Sequence, residues 1–147
     1  MHLTNSNTNQ HSIIILASPN TYRSQSYAKA AARIGINIIW VIDIPEKLAA
    51  EWSISLSVDF SNANTAIKKI LPIAKKYNVI SVLSIDDSAA LIAAKICSIL
   101  GLIHNSPSAS LAARNKYIMR KMLKNSDMLN PNFKVFKNSE IPNKIAE

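Results

Sequence analysis

A chain of 147 residues, 48% of them hydrophobic, has material for one buried core, or for one domain and the start of another. Its formal charge of +8 is spread out: residues 1–100 hold 9 basic and 6 acidic side chains, and residues 101–147 hold 8 and 3. No block of basic residues interleaved with aromatics occurs, so a specific nucleic-acid partner is not expected.

In chain order, "MHLTNSNTNQHS" lacks the basic region of a secretion signal and reads as a disordered polar tail over residues 1–12. "SIIILAS" (12–18) is apolar on both faces, as a central parallel strand should be. "SQSYAKAAARIG" puts Tyr27, Ala31 and Ile34 on one face of a helix over 24–34, with Gly35 placed to end it. "INIIWVID" (36–43) is a second buried strand, and "SISLSVDF" (53–60) alternates as a third. "NTAIKKILPIAKKYN" is helical through Ile67, Ile70, Leu71, Ala74 and Tyr77, and Pro72 should kink or divide it. "VISVLSID" (79–86) is a fourth strand, followed by a helix over 88–100 capped by Asp87 or Ser88 and closed by Gly101. No apolar run approaches the roughly 20 residues that span a bilayer, so no membrane is expected. Strand–helix alternation of this kind predicts an α/β fold, a parallel sheet covered by helices on both faces.

After Gly101 the pattern changes. Ser106 is a good N-cap and Pro107 suits the first helical position. Leu111, Ile118 and Met122 form a stripe that predicts one linking helix over 105–130. "FKVFK" (133–137) reads as a strand, and a lone strand cannot bury a face. Residues 131–147 are therefore expected to open a second domain.

The chemistry starts from what is missing. The two glycines, Gly35 and Gly101, both sit at helix ends, whereas a dinucleotide fingerprint needs glycines at the first strand–helix turn, here "SPNTYRSQS". His2, His11 and His104 have no ligand spacing with Cys97 or a carboxylate, so no metal site is expected. Cys97 is alone, which excludes an internal disulfide and fits a buried thiol in a cytoplasmic protein. Open parallel sheets bind ligands beyond the carboxyl ends of their strands. The residues carried there are Ser18, Tyr22 and Arg23 after the first strand, Asp43 after the second, and Asp86 and Asp87 after the fourth. Arg23 suits a bidentate carboxylate or phosphate contact. Asp87, Ser88 and Ser24 could equally serve as helix caps.

"TYRSQSYAKAAARIGINIIWVID", "SVDFSN", "SVLSIDDSAALIAAKICSILGLIHNSPSASLAARNKYIMRKML" and "NPNFKVF" resemble, in order, the start of ATP-grasp ligases. The resemblance is to the group of biotin carboxylase, carbamoyl-phosphate synthase and phosphoribosylglycinamide synthetase, and it covers residues 13–136. Its most specific part is "GLIHNSPSASLAARNKYIMRKML", in which a glycine leads into a strand and an Asn-Ser-Pro cap into a helix.

The resemblance implies a Rossmann-like preATP-grasp domain over 13–104, the linking helix, and the first part of an ATP-grasp domain. In such ligases the first domain helps bind a carboxylate or amine, and a lysine of the linking helix, here Lys116, contacts the nucleotide phosphates. ATP and magnesium activate the carboxylate as an acyl phosphate, which is passed to an amine; carbamoyl or carboxyl transfer is the variant within the group. The family's glycine-rich loop, second lysine and magnesium ligands do not occur in this sequence, so the 147 residues alone are expected neither to catalyse nor to bind ATP tightly. The partners implied are a small carboxylate or amine and a C-terminal ATP-grasp domain, with a homodimer left open. The other reading is a stand-alone Rossmann-like binding or interaction module without catalysis.

Overall fold

The structure is a computed structural model and describes residues 11–52, 54, 56–124, 126–137 and 139. The first ten residues of the expected polar tail, and residues 140–147, lie outside the described residues. The chain divides into two units, Met1–Ser110 and Leu111–Glu147.

The first unit contains β1 (Ser12–Ala17), α1 (Ser24–Arg33), β2 (Asn37–Asp43), α2 (Glu46–Glu51), β3 (Ser57–Val58), α3 (Ala63–Lys76), β4 (Val79–Ser84) and α4 (Ala90–Leu100). All pairings are parallel, in the order β3-β2-β1-β4, which is the parallel α/β sheet the alternation predicts and the Rossmann-like architecture the resemblance implies. β1 lies in the interior because "IIILA" offers apolar side chains to both faces. Ile14 and Leu16 enter a core with Ile70 of α3 and Ile92 and Ile96 of α4. Ile15 and Ala17, which alternate with them onto the opposite face, are equally buried, and α1 packs against β2.

Both glycines end helices as expected, with φ of +69° at Gly35 and +68° at Gly101. At the first, Ile36 N–H donates to Ala31 O and Gly35 N–H to Ala32 O. At the second, Leu102 donates to Cys97 O and Gly101 to Ser98 O, the same Schellman arrangement. Ile34, expected on one helical face with Tyr27 and Ala31, is exposed because α1 ends at Arg33 and Ile34 is already its C-cap.

Several expectations fail, each for a local reason. Pro72 does not divide α3: its missing N–H forfeits one intrahelical bond, while Ile67, Ile70 and Ala74 on the buried face hold the helix together. The strand expected over 53–60 shrinks to Ser57–Val58, which pair only with the last two residues of β2. Upstream, α2 claims the chain instead, since Ile54 N–H donates to Ala49 O at its end; Ser53 and Ser55 lie outside the described residues. The strand after Gly101 does not form; residues 102–106 are irregular.

The cap assignments are mixed. Ser106 caps α5 (Pro107–Arg114) by accepting from Ala109 N–H at 3.1 Å. The helix over 88–100 instead starts with a 3-10 turn at Asp87–Ala89 whose N-cap is Asp86, without a side-chain cap bond. Arg23, not Ser24, is the N-cap of α1.

The division between the units falls inside α5. The single helix expected over 105–130 is replaced by α5 and α6 (Lys116–Leu123), because the Asn115 side chain accepts from Tyr117 and Ile118 N–H and starts a new helix. No strand forms over 133–137; among the described residues nothing pairs with it.

Candidate functional site

The carboxyl ends of β1, β2 and β4 form one polar edge, and hydrogen bonds tie its loops together. Ala17, the last residue of β1, is buried, and Ser18 emerges from it. Ser18 N–H donates to Asp86 Oδ2 at 2.9 Å, and the Ser18 hydroxyl donates to the same oxygen at 2.7 Å. Ile85 N–H donates to Leu16 O at 3.0 Å, and the Ser84 hydroxyl donates to the Asp86 carbonyl. The parallel register of β1 on β4 thus places two residues 68 positions apart in direct contact.

Asp43, at the end of β2, does similar work on the other side. Its Oδ1 accepts from Phe60 N–H at 3.1 Å, fixing the loop between β3 and α3 above the core that Phe60 enters. The neighbouring Asp59 accepts from Ser61 N–H at 2.8 Å, and bonds from Ser61 hold its carboxyl below the usual range.

Tyr22 and Arg23 project from the loop after β1. Tyr22 is 83% exposed, and Arg23 Nε–H donates to its hydroxyl at 3.1 Å while the guanidinium carbon lies 5.4 Å from the ring centroid. The bond to Tyr22 contributes most to raising the Arg23 pKa, with smaller contributions from nearby charges, Asp86 among them. Asp87 is exposed in the turn that follows β4.

The six residues predicted for this edge therefore separate into two kinds. Ser18, Asp43 and Asp86 are engaged in tying loops, while Tyr22, Arg23 and Asp87 face solvent. Sequence reasoning missed the role of the Phe60 amide, which leaves no trace in side-chain chemistry.

Lys116 belongs to the second unit, exposed at the first position of α6. Its neighbours form a cation–aromatic group: Arg120 lies 5.8 Å from the Phe133 ring, Lys121 lies 5.8 Å from the Tyr117 ring, and the two rings meet edge-on at 6.1 Å. A cleft of about 720 Å³ also lies within this unit, lined by Leu123, Lys124, Met128, Asn130, Phe133 and Lys134 among others. Lys116 is not part of its lining. Among the described residues no group of three His, Cys, Asp or Glu side chains could hold a metal ion, and no helix is long and apolar enough to cross a membrane.

No protein-family model matches the sequence, and no curated protein matches it significantly. Among solved structures, the chain is similar to L-amino acid ligase from Bacillus licheniformis, at 18% identity and a TM-score of 0.59. It is also similar to phosphoribosylglycinamide synthetase from Anaerococcus prevotii, at 20% identity and a TM-score of 0.57. Each likeness covers 79% of this chain but only 30% and 29% of the other. The chain thus has the fold of part of two ligases, one of them from the group its sequence resembles.

Proposed function

We propose that this chain is the N-terminal, substrate-binding part of an ATP-dependent ligase that joins a carboxylate to an amine through an acyl phosphate. The observation that carries the reading is the fold shared with two ligases, together with a polar edge where such a sheet binds ligands. In this reading the exposed Arg23, steadied by Tyr22, takes an anionic group of the substrate by charge-assisted hydrogen bonds. Ser18 and Asp86 hold the loop that carries Arg23, and Asp43 shapes the opposite rim.

ATP would supply the phosphoryl group that makes the carboxylate reactive. Lys116, a compact cation on a flexible stem at the start of α6, is the residue of this chain suited to a nucleotide phosphate. The described residues offer no cluster for magnesium, so they do not by themselves fit that ion. Catalysis in this reading needs a nucleotide-binding domain as partner, consistent with the chain spanning about 30% of the ligases it resembles. The buried, unpaired Cys97 suits a cytoplasmic location. A ligand-binding module without catalysis is the second reading, favoured by the engagement of Asp43 and Asp86 in holding loops.

Hydroxylamine trapping tests the proposal. A chain joining this sequence to a nucleotide-binding domain, given ATP, magnesium and a panel of L-amino acids, should yield ADP and an aminoacyl hydroxamate in equal amounts. ADP release without hydroxamate for every acid would remove the acyl-phosphate step. The 147 residues alone should produce neither.

A further inference from the structure

We propose that Asp86 is a positioning residue: its carboxylate sets the place of Arg23 at the ligand edge through Ser18 and the turn that follows. The inference rests on the reading above for the ligand, and on hydrogen bonds for the device itself.

The connection can be followed bond by bond. Asp86 Oδ2 accepts from both the amide and the hydroxyl of Ser18, fixing that residue's backbone and its rotamer together. Thr21 N–H then donates to Ser18 O at 3.2 Å, closing a turn over "SPNT". Pro19 occupies the second position of that turn, where its fixed φ is favourable. The Ser24 hydroxyl reaches Thr21 O at 3.5 Å, and Arg23 O accepts from Ser26 and Tyr27 N–H to begin α1. Arg23 is therefore joined to the turn after β4 by Asp86–Ser18–Thr21, and to α1 by its own carbonyl.

This arrangement also accounts for a carboxylate at an edge meant for an anion. An unengaged Asp86 would repel such a ligand; two donors on one oxygen and the nearby Arg23 guanidinium offset part of that charge. The expected ligand contact is then the outer face of the Arg23 guanidinium, whose Nε is already occupied by Tyr22. The guanidinium nitrogens other than Nε are the ones a carboxylate would take side by side, and L-alanine is the simplest probe of that contact.

The test uses the whole 147-residue chain and the variants Asp86→Ala, Asp86→Asn and Ser18→Ala. Amide hydrogen exchange is read at Ser18, Thr21 and Ser26, whose amides donate to Asp86, Ser18 O and Arg23 O, with Ile14 and Leu16 of β1 as internal controls, and L-alanine affinity is measured by calorimetry. Asp86→Ala should speed exchange in the loop about ten- to a hundredfold and weaken L-alanine by about tenfold, with the β1 controls unchanged. Asp86→Asn keeps an amide oxygen able to accept the same two bonds, so it should restore most of both effects; Ser18→Ala should fall between.

Unchanged loop exchange in Asp86→Ala would overturn the proposal. Faster exchange with unaltered L-alanine affinity would also overturn it, leaving Asp86 a purely structural tie. Should Asp86→Ala unfold, shown by faster exchange at Ile14 and Leu16, the same two criteria apply to Ser18→Ala. A wild-type chain that binds no L-alanine would refute the substrate reading, and the exchange rates would then decide whether the tie exists.

Discussion

Asp43 separates a ligand-binding role from a structural one more sharply than any other edge residue. Its Oδ1 accepts from Phe60 N–H at 3.1 Å, and Phe60 is 5% exposed in the core with Val58, Ile67 and Ile70. Asp43→Ala removes the acceptor and leaves that amide facing a half-buried gap. A hydrogen bond to a charged acceptor contributes about 1.5–3 kcal/mol, and partial access of water to Asp43 places the loss near the lower end, about 1.5 kcal/mol. Asp43→Asn keeps a carbonyl acceptor and should lose only about 0.5–1 kcal/mol. With a urea slope of about 1.5 kcal/mol per M, the Ala variant should unfold about 1 M earlier than wild type. Tryptophan fluorescence reports the transition, chiefly through Trp40, half-buried in β2, since Trp52 is already exposed in the folded chain. If Asp43→Ala unfolds within about 0.2 M of wild type, or if Asn is as damaging as Ala, the tie to Phe60 carries no weight and Asp43 returns to the list of ligand groups.

Three further outcomes follow from the same structure. Gly101→Ala should cost about 1 kcal/mol in urea unfolding, because a Cβ there meets nothing within 4 Å and only the left-handed backbone is penalised; a stabilised variant would contradict the cap. In a chain that includes a nucleotide-binding domain, Lys116→Met should raise the KM for ATP or lower kcat roughly ten- to a hundredfold, with stability changed by less than about 0.5 kcal/mol. Lys124→Met is its control, and equal kinetics for the two would leave Lys116 an ordinary surface lysine. Cys97 is 1% exposed and burial pushes its thiol pKa up, so an aromatic disulfide reagent at pH 8 should label the folded chain about a hundredfold more slowly than the urea-unfolded one; similar rates would contradict its burial.

The sheet was legible because its central strands announce themselves: "IIIL" and "INIIWVID" are apolar on both faces, and only a covered parallel sheet accepts that. Helix ends were legible where one residue suffices, as at Gly35, Gly101 and Ser106. The reading failed where a partner decides. Ile54 and Leu56 alternate like a strand, yet β2 offers pairing only to Ser57 and Val58. "FKVFK" has strand composition and no strand to pair with among the described residues. Asn115 was the avoidable miss, since an asparagine beside Lys116 carries the N-cap signal in its side chain.

For the candidate site, topology placed six residues at the carboxyl edge of the sheet, because loops after parallel strands must emerge there. Which of them would be tied up was not legible. Ser18 meets Asp86 rather than Asp87 through the register of β1 on β4, and Asp43 meets a backbone amide that no side-chain pattern reveals.

Under the proposed function the carboxyl edge of this sheet binds a small carboxylate or amine. The most direct measurement is a titration of the isotope-labelled chain with a panel of small carboxylates and amines, followed by amide chemical shifts. At least one compound should produce saturable shifts concentrated in residues 18–24, 43–44 and 86–88. Saturable shifts confined to the opposite ends of the strands, around Ser12, Asn37 and Asn78, would contradict the account, as would the absence of saturable shifts with every compound.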